Sequence, residues 1–200
     1  MEENTQTTKS ILTMPVAIII AGILIAGAVY FKGGVPNQVV DNQFKVENKK
    51  TTLKPVSADD HILGNPDAEL VVIEFSDTEC PFCKNFHQTM LQLINEYGKD
   101  GKVAWVYRHM PIEQLHSKAK KEAEATECAA KIGGKSKFWD YVNAIFEITP
   151  SNDGLDLAKL PEIATQIGLN RAEFERCLSS GEFTEKINQS IADASLAGAQ

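Results

Sequence analysis

LVVIEFSDTECPFC, residues 70–83, decides the fold of this chain, because it joins an apolar strand pattern to a pair of cysteines. Residues 70–75 are largely apolar without alternation, which is typical of a parallel strand covered on both faces. Turn residues follow, and an amphipathic helical pattern then runs over residues 81–97. Cys80 and Cys83, at the start of that helix, have the Cys-x-x-Cys spacing of a redox-active pair.

The residues around this pair favour different roles for the two thiols. Pro81 suits the first helical position, because its missing N–H would have no partner there. Cys80 then lies at the helix N-cap, where unpaired backbone N–H groups and the positive end of the helix dipole stabilise a thiolate. Cys83 lies one turn further on, on the side of Phe86 and Met90, and is expected to be the more buried sulfur. An exposed thiolate with a shielded partner suits reversible disulfide exchange.

Glu74 interrupts the apolar strand, and the sequence leaves two interpretations open. In the first, the charge lies at a strand edge or faces solvent. In the second, Glu74 is a buried carboxylate behind the cysteines. Burial would raise the pKa of such a group, which could then move a proton when the shielded thiol must ionise.

The helix after Pro81 has an apolar face that we interpret as core rather than as a substrate groove. This face consists of Phe82, Phe86, Met90, Leu93, Ile94 and Tyr97. Phe82 is the exception that could be exposed, because it lies between the two cysteines. Gly98 suits the C-terminal cap of the helix. A second strand is predicted at Val103–Arg108, so that strand, helix and strand form a right-handed parallel unit. Only these two strands are clear from the sequence.

After Pro111 the chain becomes rich in Ala, Glu and Lys, and the sequence predicts a helical subdomain inserted after the second strand. Asn170, followed by Glu173, is a signal for a helix start. The predicted helices are Glu113–Ile132, Phe138–Ile148, Leu155–Ile167, Arg171–Ser179 and Phe183–Leu196.

Two further cysteines, Cys128 and Cys177, fall in two of these helices, 49 positions apart. They are either unrelated buried thiols or a structural disulfide that pins the insert, which an oxidising compartment would permit. Closing a loop of this size would stabilise the fold by roughly 4 kcal/mol in the chain-entropy model. Their spacing does not suggest a zinc site, whose ligands usually come in close pairs.

Composition restricts the classes of partner. The net charge is −7, and residues 1–32 carry balanced charges, so the acidic excess belongs to the rest of the chain. An acidic domain lacks the electrostatic footprint of a nucleic-acid-binding protein. No cofactor and no metal ligand is predicted. His61 is assigned no role, because a lone histidine at a domain edge is usually solvated.

The N-terminal residues predict a membrane anchor. Residues 1–10 form a short polar tail, and residues 11–31 are almost continuously apolar and uncharged. At about 1.5 Å per residue, a helix of this length spans the roughly 30 Å core of a bilayer. A cleaved signal peptide is the alternative, with a cleavage site at Ala26-Gly27-Ala28, but the apolar run exceeds the usual length. Residues 32–58 predict a flexible stem.

The chain resembles the DsbA-like thioredoxin-domain family of membrane-anchored or exported thiol–disulfide oxidoreductases. The resemblance rests on Glu74-Phe75-Ser76-Asp77 before Glu79-Cys80-Pro81-Phe82-Cys83, on Arg108-His109-Met110-Pro111 with His116, and on Glu127-Cys128-Ala129 with Phe138-Trp139. It implies an α/β thioredoxin-like fold over 59–200, with a helical insert at about 113–197. It also implies that Cys80 is the attacking cysteine, Cys83 the resolving cysteine and Glu74 the buried acid.

In one respect the chain departs from that family's pattern. The fold should continue with a cis-proline loop facing the cysteines, two further strands and a closing helix. Here a predicted helix is followed by Gly198-Ala199-Gln200, and Pro111, Pro150 and Pro161 are poorly placed for the cis-proline role. The C-terminal strands and the cis-proline loop are therefore expected to be absent from this chain, which would leave the domain at 59–200 incomplete.

The favoured function is an extracytoplasmic thiol–disulfide oxidoreductase that exchanges disulfides with exported proteins through Cys80 and Cys83. The expected location is the cell membrane, with a single anchor at 11–31 and an unidentified redox partner that recycles the pair. Orientation is inferred from the redox chemistry, since the flanking lysines barely discriminate. A non-catalytic anchored module, a copper chaperone and a peroxidase are the alternatives, and the direction of electron flow stays open.

Overall fold

Three strands form the sheet on which the domain is built. In the computed structural model, which describes residues 52–199, they are β1 (His61–Gly64), β2 (Leu70–Ser76) and β3 (Val103–His109), in the order β1-β3-β2. The two predicted strands are confirmed as β2 and β3, and they pair in parallel. β3 is the central strand, and every one of its residues is buried.

The strand β1 was not found by sequence analysis. It pairs antiparallel with β3, with His61 opposite Tyr107. A four-residue strand has too few positions to show alternation, and it forms because the edge of β3 offers unpaired backbone groups. The expectation that His61 is a solvated residue was wrong, because its side chain is 6% exposed and stacks on the ring of Phe138 at 3.4 Å.

Six α-helices and two short helical turns accompany the sheet in the described part of the chain. The α-helices are α1 (Pro81–Leu93), α2 (Ala119–Gly133), α3 (Lys135–Ile148), α4 (Leu160–Gln166), α5 (Arg171–Ser180) and α6 (Thr184–Ala197). Ile94–Gly98 continues α1 as a π-helical turn, and Leu157–Lys159 is a 3-10 turn before α4. α2 to α6 all follow β3, where the sequence predicts the helical insert.

The predicted helix starting at Glu113 begins later than expected, at Ala119. The preceding residues are held in turns, because the backbone N–H of Ile112 and the ring of His116 both bind the Asp77 carboxylate. The helix start at Asn170 is confirmed, since its side-chain oxygen accepts a hydrogen bond from the Glu173 backbone N–H at 3.0 Å.

The interpretation of the aromatic residues of α1 as core was wrong for Phe86 and Tyr97, whereas the exposure of Phe82 is the alternative that its position left open. Phe82, Phe86 and Tyr97 are 81%, 42% and 47% exposed, respectively. α1 packs inward through Met90 and through His87, a polar residue that a count of apolar positions overlooks. His87 is accepted in this position because its ring nitrogen bonds the side chain of Asn143 at 2.7 Å.

The helix α3 contributes residues to two separate apolar clusters. One face of α3 packs against the sheet and α1 in a cluster of Met90, Trp105, Tyr107, Phe138, Trp139, Val142 and Phe146. Tyr141 and Ile145, on the opposite face, belong to the core of the helical insert. α3 therefore couples the insert to the sheet.

The predicted tail, the anchor at 11–31 and most of the stem lie outside the described residues. Within residues 52–199, none of the helices has the length and apolar content needed to cross a bilayer. The end of the stem, 52–57, is exposed and without regular structure, but Arg108 donates hydrogen bonds to the carbonyls of Lys54 and Pro55. Residues 52–199 contain no cis peptide bond.

Candidate functional site

Cys80 and Pro81 form the N-terminus of α1 as the sequence predicts. Cys80 is the N-cap residue, with extended backbone angles of φ −81° and ψ 122°, and Pro81 follows in the first turn. The Cys80 carbonyl accepts the first helical hydrogen bond, from the Lys84 backbone N–H at 3.0 Å. The first turn contains no acidic residue that would oppose a negative charge at the Cys80 sulfur.

Cys83 is in contact with the core, whereas Phe82 between the two cysteines points outward. Both cysteines are free thiols and half-buried, and Cys83 packs against the cluster that contains Met90 and Trp105. Burial raises the pKa of the Cys83 thiol to about 12, although the backbone N–H of Asp77 favours the thiolate. Cys83 therefore needs a proton whenever it leaves a disulfide.

Glu74 is a buried carboxylate, the second of the two interpretations that its position in the strand leaves open. It is 7% exposed, and burial raises its pKa to about 7 even though the Trp105 indole N–H donates to Oε2 at 2.9 Å. Its Oε1 atom has no hydrogen-bond partner among the described residues. Near neutral pH this group is therefore poised to gain or lose a proton.

Tyr107 lies beside Glu74 in the sheet and within electrostatic range of Cys83. It pairs with Glu74 across β2 and β3, and its buried hydroxyl also lacks a hydrogen-bond partner within residues 52–199. Burial raises the pKa of Tyr107 far above its usual value, and the charges of Glu74 and Cys83 raise it further. The phenol is therefore close enough to both groups to feel their charges, a relation that sequence reasoning missed because it depends on strand register.

Two buried carboxylates just before the cysteines hold the helix start in place. Asp77 accepts hydrogen bonds from the backbone N–H groups of Glu79 (2.8 Å) and Ile112 (2.7 Å) and contacts His116 Nδ1 at 3.0 Å. Glu79, completely buried, accepts from Thr149 Oγ1 and from the backbone N–H groups of Gly154 and Leu155. Sequence analysis gave these acidic residues no role, because their donors come from distant segments.

The segment that Glu79 binds has an unusual backbone. Ser151, Asn152 and Asp153 have φ values of 68°, 56° and 61°, a left-handed conformation that L-residues rarely adopt. The Asn152 backbone N–H donates to the Glu79 carbonyl at 2.7 Å, so this strained segment is attached directly to the residue before Cys80.

A further buried acid, Glu122, lies near Glu79. The Thr78 hydroxyl donates to Glu122 Oε2 at 2.6 Å. Burial raises the pKa of Glu122 to about 8, and the neighbouring Glu79 carboxylate acts in the same direction. The first helical turn after β3 thus adds a second proton-holding group to the surroundings of the cysteines.

Cys128 and Cys177 are joined by a disulfide between α2 and α5, with a Cα–Cα distance of 5.9 Å. Both residues lie in the core of the helical insert. This bond links two helices of the insert and leaves Cys80 and Cys83 as the only free thiols in the described part of the chain.

These features define a class of protein. A Cys-x-x-Cys pair stands at a helix start after a parallel strand, with a buried acid behind it and a helical insert after the next strand. A family model described as Thioredoxin matches residues 57–200. The chain belongs to this family, and within it to the DsbA-like thioredoxin-domain proteins.

Solved structures support this assignment. The chain superposes on the crystal structure of Pseudomonas aeruginosa DsbA2 with a TM-score of 0.59 at 28% identity, covering 73% of this chain and 78% of that one. It superposes on oxidised BdbD from Bacillus subtilis with a TM-score of 0.66, covering 75% and 82% of the two chains. At 21% identity the second match shows the fold alone.

Curated relatives carry a different kind of name. The protein called Na(+)/H(+) antiporter NhaA 1 of Mycolicibacterium vanbaalenii is 34% identical over 125 residues, which are 62% of this chain and 19% of that protein. The chain spans about a fifth of the length of the curated relatives it matches. The transport activity in the name is thus said of a much longer protein.

Proposed function

We propose that this protein is a membrane-anchored thiol–disulfide oxidoreductase that exchanges disulfides with exported proteins through Cys80 and Cys83. The observation that carries the proposal is the placement of the pair, with Cys80 at the N-cap of α1 and Cys83 one turn further in, against the core. The N-cap position places the Cys80 sulfur at the positive end of the helix dipole, and burial disfavours a Cys83 thiolate. The two sulfurs are therefore suited to different steps of one exchange.

In the oxidising direction, a substrate thiolate attacks the Cys80 sulfur of the Cys80–Cys83 disulfide. A bond forms between substrate and Cys80, and Cys83 leaves as a thiolate. A second substrate thiolate then attacks the substrate sulfur of this mixed disulfide and releases the Cys80 thiolate. The substrate has lost two electrons and the Cys80–Cys83 pair has gained them, and a redox partner returns the pair to the disulfide.

Glu74 is proposed as the acid that supplies the proton to Cys83. A thiolate at a site where the thiol has a pKa of about 12 is a poor leaving group, because burial removes the water that would stabilise it. Glu74, with a pKa of about 7, is partly protonated at neutral pH and can donate. The charges of Glu74 and Cys83 both act on the buried phenol of Tyr107, which is consistent with the two groups lying in one buried region.

The exposed aromatic residues of α1 suit the binding of unfolded substrates. Phe82 lies between the two cysteines and is 81% exposed, and Phe86, one turn further, is 42% exposed. Apolar side chains beside a reactive sulfur can bind the apolar segments that an unfolded chain exposes.

The extracytoplasmic, membrane-bound location is likewise proposed. The apolar run at 11–31 has the length of a membrane-spanning helix, and an oxidising compartment is where a structural disulfide such as Cys128–Cys177 forms and persists.

Trapping tests the division of labour between the sulfurs. Incubated with an unfolded protein that contains a disulfide, Cys83→Ser should accumulate a mixed disulfide, because Cys80 attacks and no second thiol resolves the product. The matched variant Cys80→Ser should accumulate none. Equal trapping or equal turnover in the two variants contradicts the proposal. The proposal is also contradicted if the cysteine pair of the unmodified protein binds copper(I) but does not exchange disulfides with glutathione. The redox potential of the pair against glutathione decides between oxidase and reductase.

A further inference from the structure

Three side chains with metal-ligating atoms meet at a place that the proposed redox reaction does not use. His61 from β1 and His109 from β3 both contact Glu127 of α2, with Nε2 to Oε1 distances of 2.9 Å and 3.1 Å. All three residues are buried, at 6%, 3% and 2% exposure. Their nearest ligand atoms all lie within 4.8 Å of one another.

We propose that His61, His109 and Glu127 form a binding site for a divalent transition-metal ion, with Zn²⁺ as the ion that fits best. Two imidazoles and one carboxylate are a ligand set that Zn²⁺ accepts, and the remaining tetrahedral position is then filled by water. Imidazole nitrogen disfavours Mg²⁺ and Ca²⁺, which prefer sites made wholly of oxygen.

The three ligand atoms must adjust their separations to accept the ion. Zn–N and Zn–O bonds of about 2.0–2.2 Å place tetrahedral ligand atoms roughly 3.4 Å apart. The two nitrogens now lie 2.9 Å and 3.1 Å from Oε1, so each of these two pairs must open by a few tenths of an ångström. The two nitrogens lie within 4.8 Å of each other, and rotation of the rings sets their final separation. The ring of His61 stacks on the ring of Phe138 at 3.4 Å, and this contact fixes the plane of the imidazole.

The surroundings leave one carboxylate oxygen available to the ion. Lys186 binds Glu127 Oε2 at 2.6 Å, so that Oε1 alone faces the two rings. The nearby guanidinium of Arg108 is already paired with both oxygens of Asp60, at 2.8 Å and 3.0 Å. An open cavity of about 410 Å³ borders the three residues and gives an ion and its water a route of entry.

The histidines are free to adopt the tautomer that metal binding needs. Each Nδ1 atom is buried and has no hydrogen-bond partner within residues 52–199. Because no group in this part of the chain occupies Nδ1, the proton of each ring can move from Nε2 to Nδ1 when the ion binds Nε2. The same absence of outer partners predicts an affinity below that of sites whose histidines are hydrogen-bonded on both nitrogens.

Cobalt spectroscopy tests the proposal, because Co²⁺ occupies zinc sites and absorbs visible light. The full-length protein is used with Cys80 and Cys83 oxidised to the disulfide, so that no thiolate binds the ion. We expect one Co²⁺ per chain, with d–d absorption, no sulfur-to-metal charge transfer, and displacement by Zn²⁺. Glu127→Gln, which keeps the shape of the side chain, should weaken binding at least about tenfold, as should His61→Gln.

His87→Gln is the matched control, because it changes a buried histidine outside the cluster and should bind Co²⁺ as the unmodified protein does. Circular dichroism shows whether each variant is folded, and binding by the unmodified protein is informative even if one variant is not. The proposal is overturned if the unmodified protein does not bind Co²⁺ or Zn²⁺. It is also overturned if folded Glu127→Gln and His61→Gln both bind as tightly as His87→Gln.

Discussion

Replacing Glu74 by Gln should change how stability depends on pH. The free energy of unfolding of Glu74→Gln, compared with that of the unmodified protein at the same pH, should be higher at alkaline pH than at acidic pH. Burial raises the pKa of Glu74 from 4.5 to about 7, so the folded state holds this proton more tightly than the unfolded state. The stability that depends on the proton is complete below about pH 4.5 and is lost as the pH rises through about 7. Gln carries no proton to lose.

The magnitude follows from the size of the shift. Each pKa unit corresponds to 1.36 kcal/mol, so ionising Glu74 in the folded protein costs about 3 kcal/mol. The free energy of unfolding of Glu74→Gln minus that of the unmodified protein should therefore increase by about 3 kcal/mol between pH 4 and pH 8. The amide also changes the hydrogen bond with Trp105, but that contribution is the same at both pH values.

Urea unfolding of the oxidised protein, in which neither Cys80 nor Cys83 titrates, provides the measurement. Glu69→Gln, an exposed position just before β2, is the matched control and should show no such change with pH. A difference between Glu74→Gln and the unmodified protein that stays constant from pH 4 to pH 8 would refute the assignment of Glu74 as a buried acid with a raised pKa.

Three further predictions concern other parts of the domain. Cys128→Ala combined with Cys177→Ala should lower the free energy of unfolding in urea by about 4 kcal/mol, since it opens a loop of 49 residues; a loss below about 1 kcal/mol contradicts this. Phe82→Ser should leave the melting temperature unchanged and raise the KM for an unfolded protein substrate but not for glutathione, and equal KM values would exclude a binding role. Asn170→Ala should lower stability by about 1 kcal/mol through loss of the helix cap, whereas Asn170→Asp should retain it; equal losses contradict a capping role.

Local sequence was sufficient where the structure depends on neighbouring residues. The order of an apolar strand, Cys80, Pro81 and Cys83 predicts the helix start, because proline and the N-cap act within one turn. The pairing of Asn170 with Glu173 is local in the same sense. The parallel pairing of β2 with β3 was also predictable, since a helix connects them.

Predictions failed where distant segments meet. β1 is a strand because the edge of β3, at least 40 positions away in each pair, offers backbone groups with which it can bond. Phe86 and Tyr97 of α1 were assigned to the core from helical spacing alone, but both are exposed. His87 lies inside instead, because its ring bonds Asn143 of a distant helix. The roles of Asp77 and Glu79 were missed for the same reason. Their hydrogen-bond partners come from residues 112–116 and 149–155, which are distant in the sequence.

By itself, the sequence determined the family, the position of the two sulfurs at a helix start and the helical character of the segment after β3. Those features arise from contacts within a few residues of one another. Only the tertiary structure decided that Glu74 is buried, that Tyr107 pairs with it across β2 and β3, and that His61, His109 and Glu127 converge. Burial and convergence depend on how strands and helices pack, and long-range packing is not encoded in any single stretch of the chain.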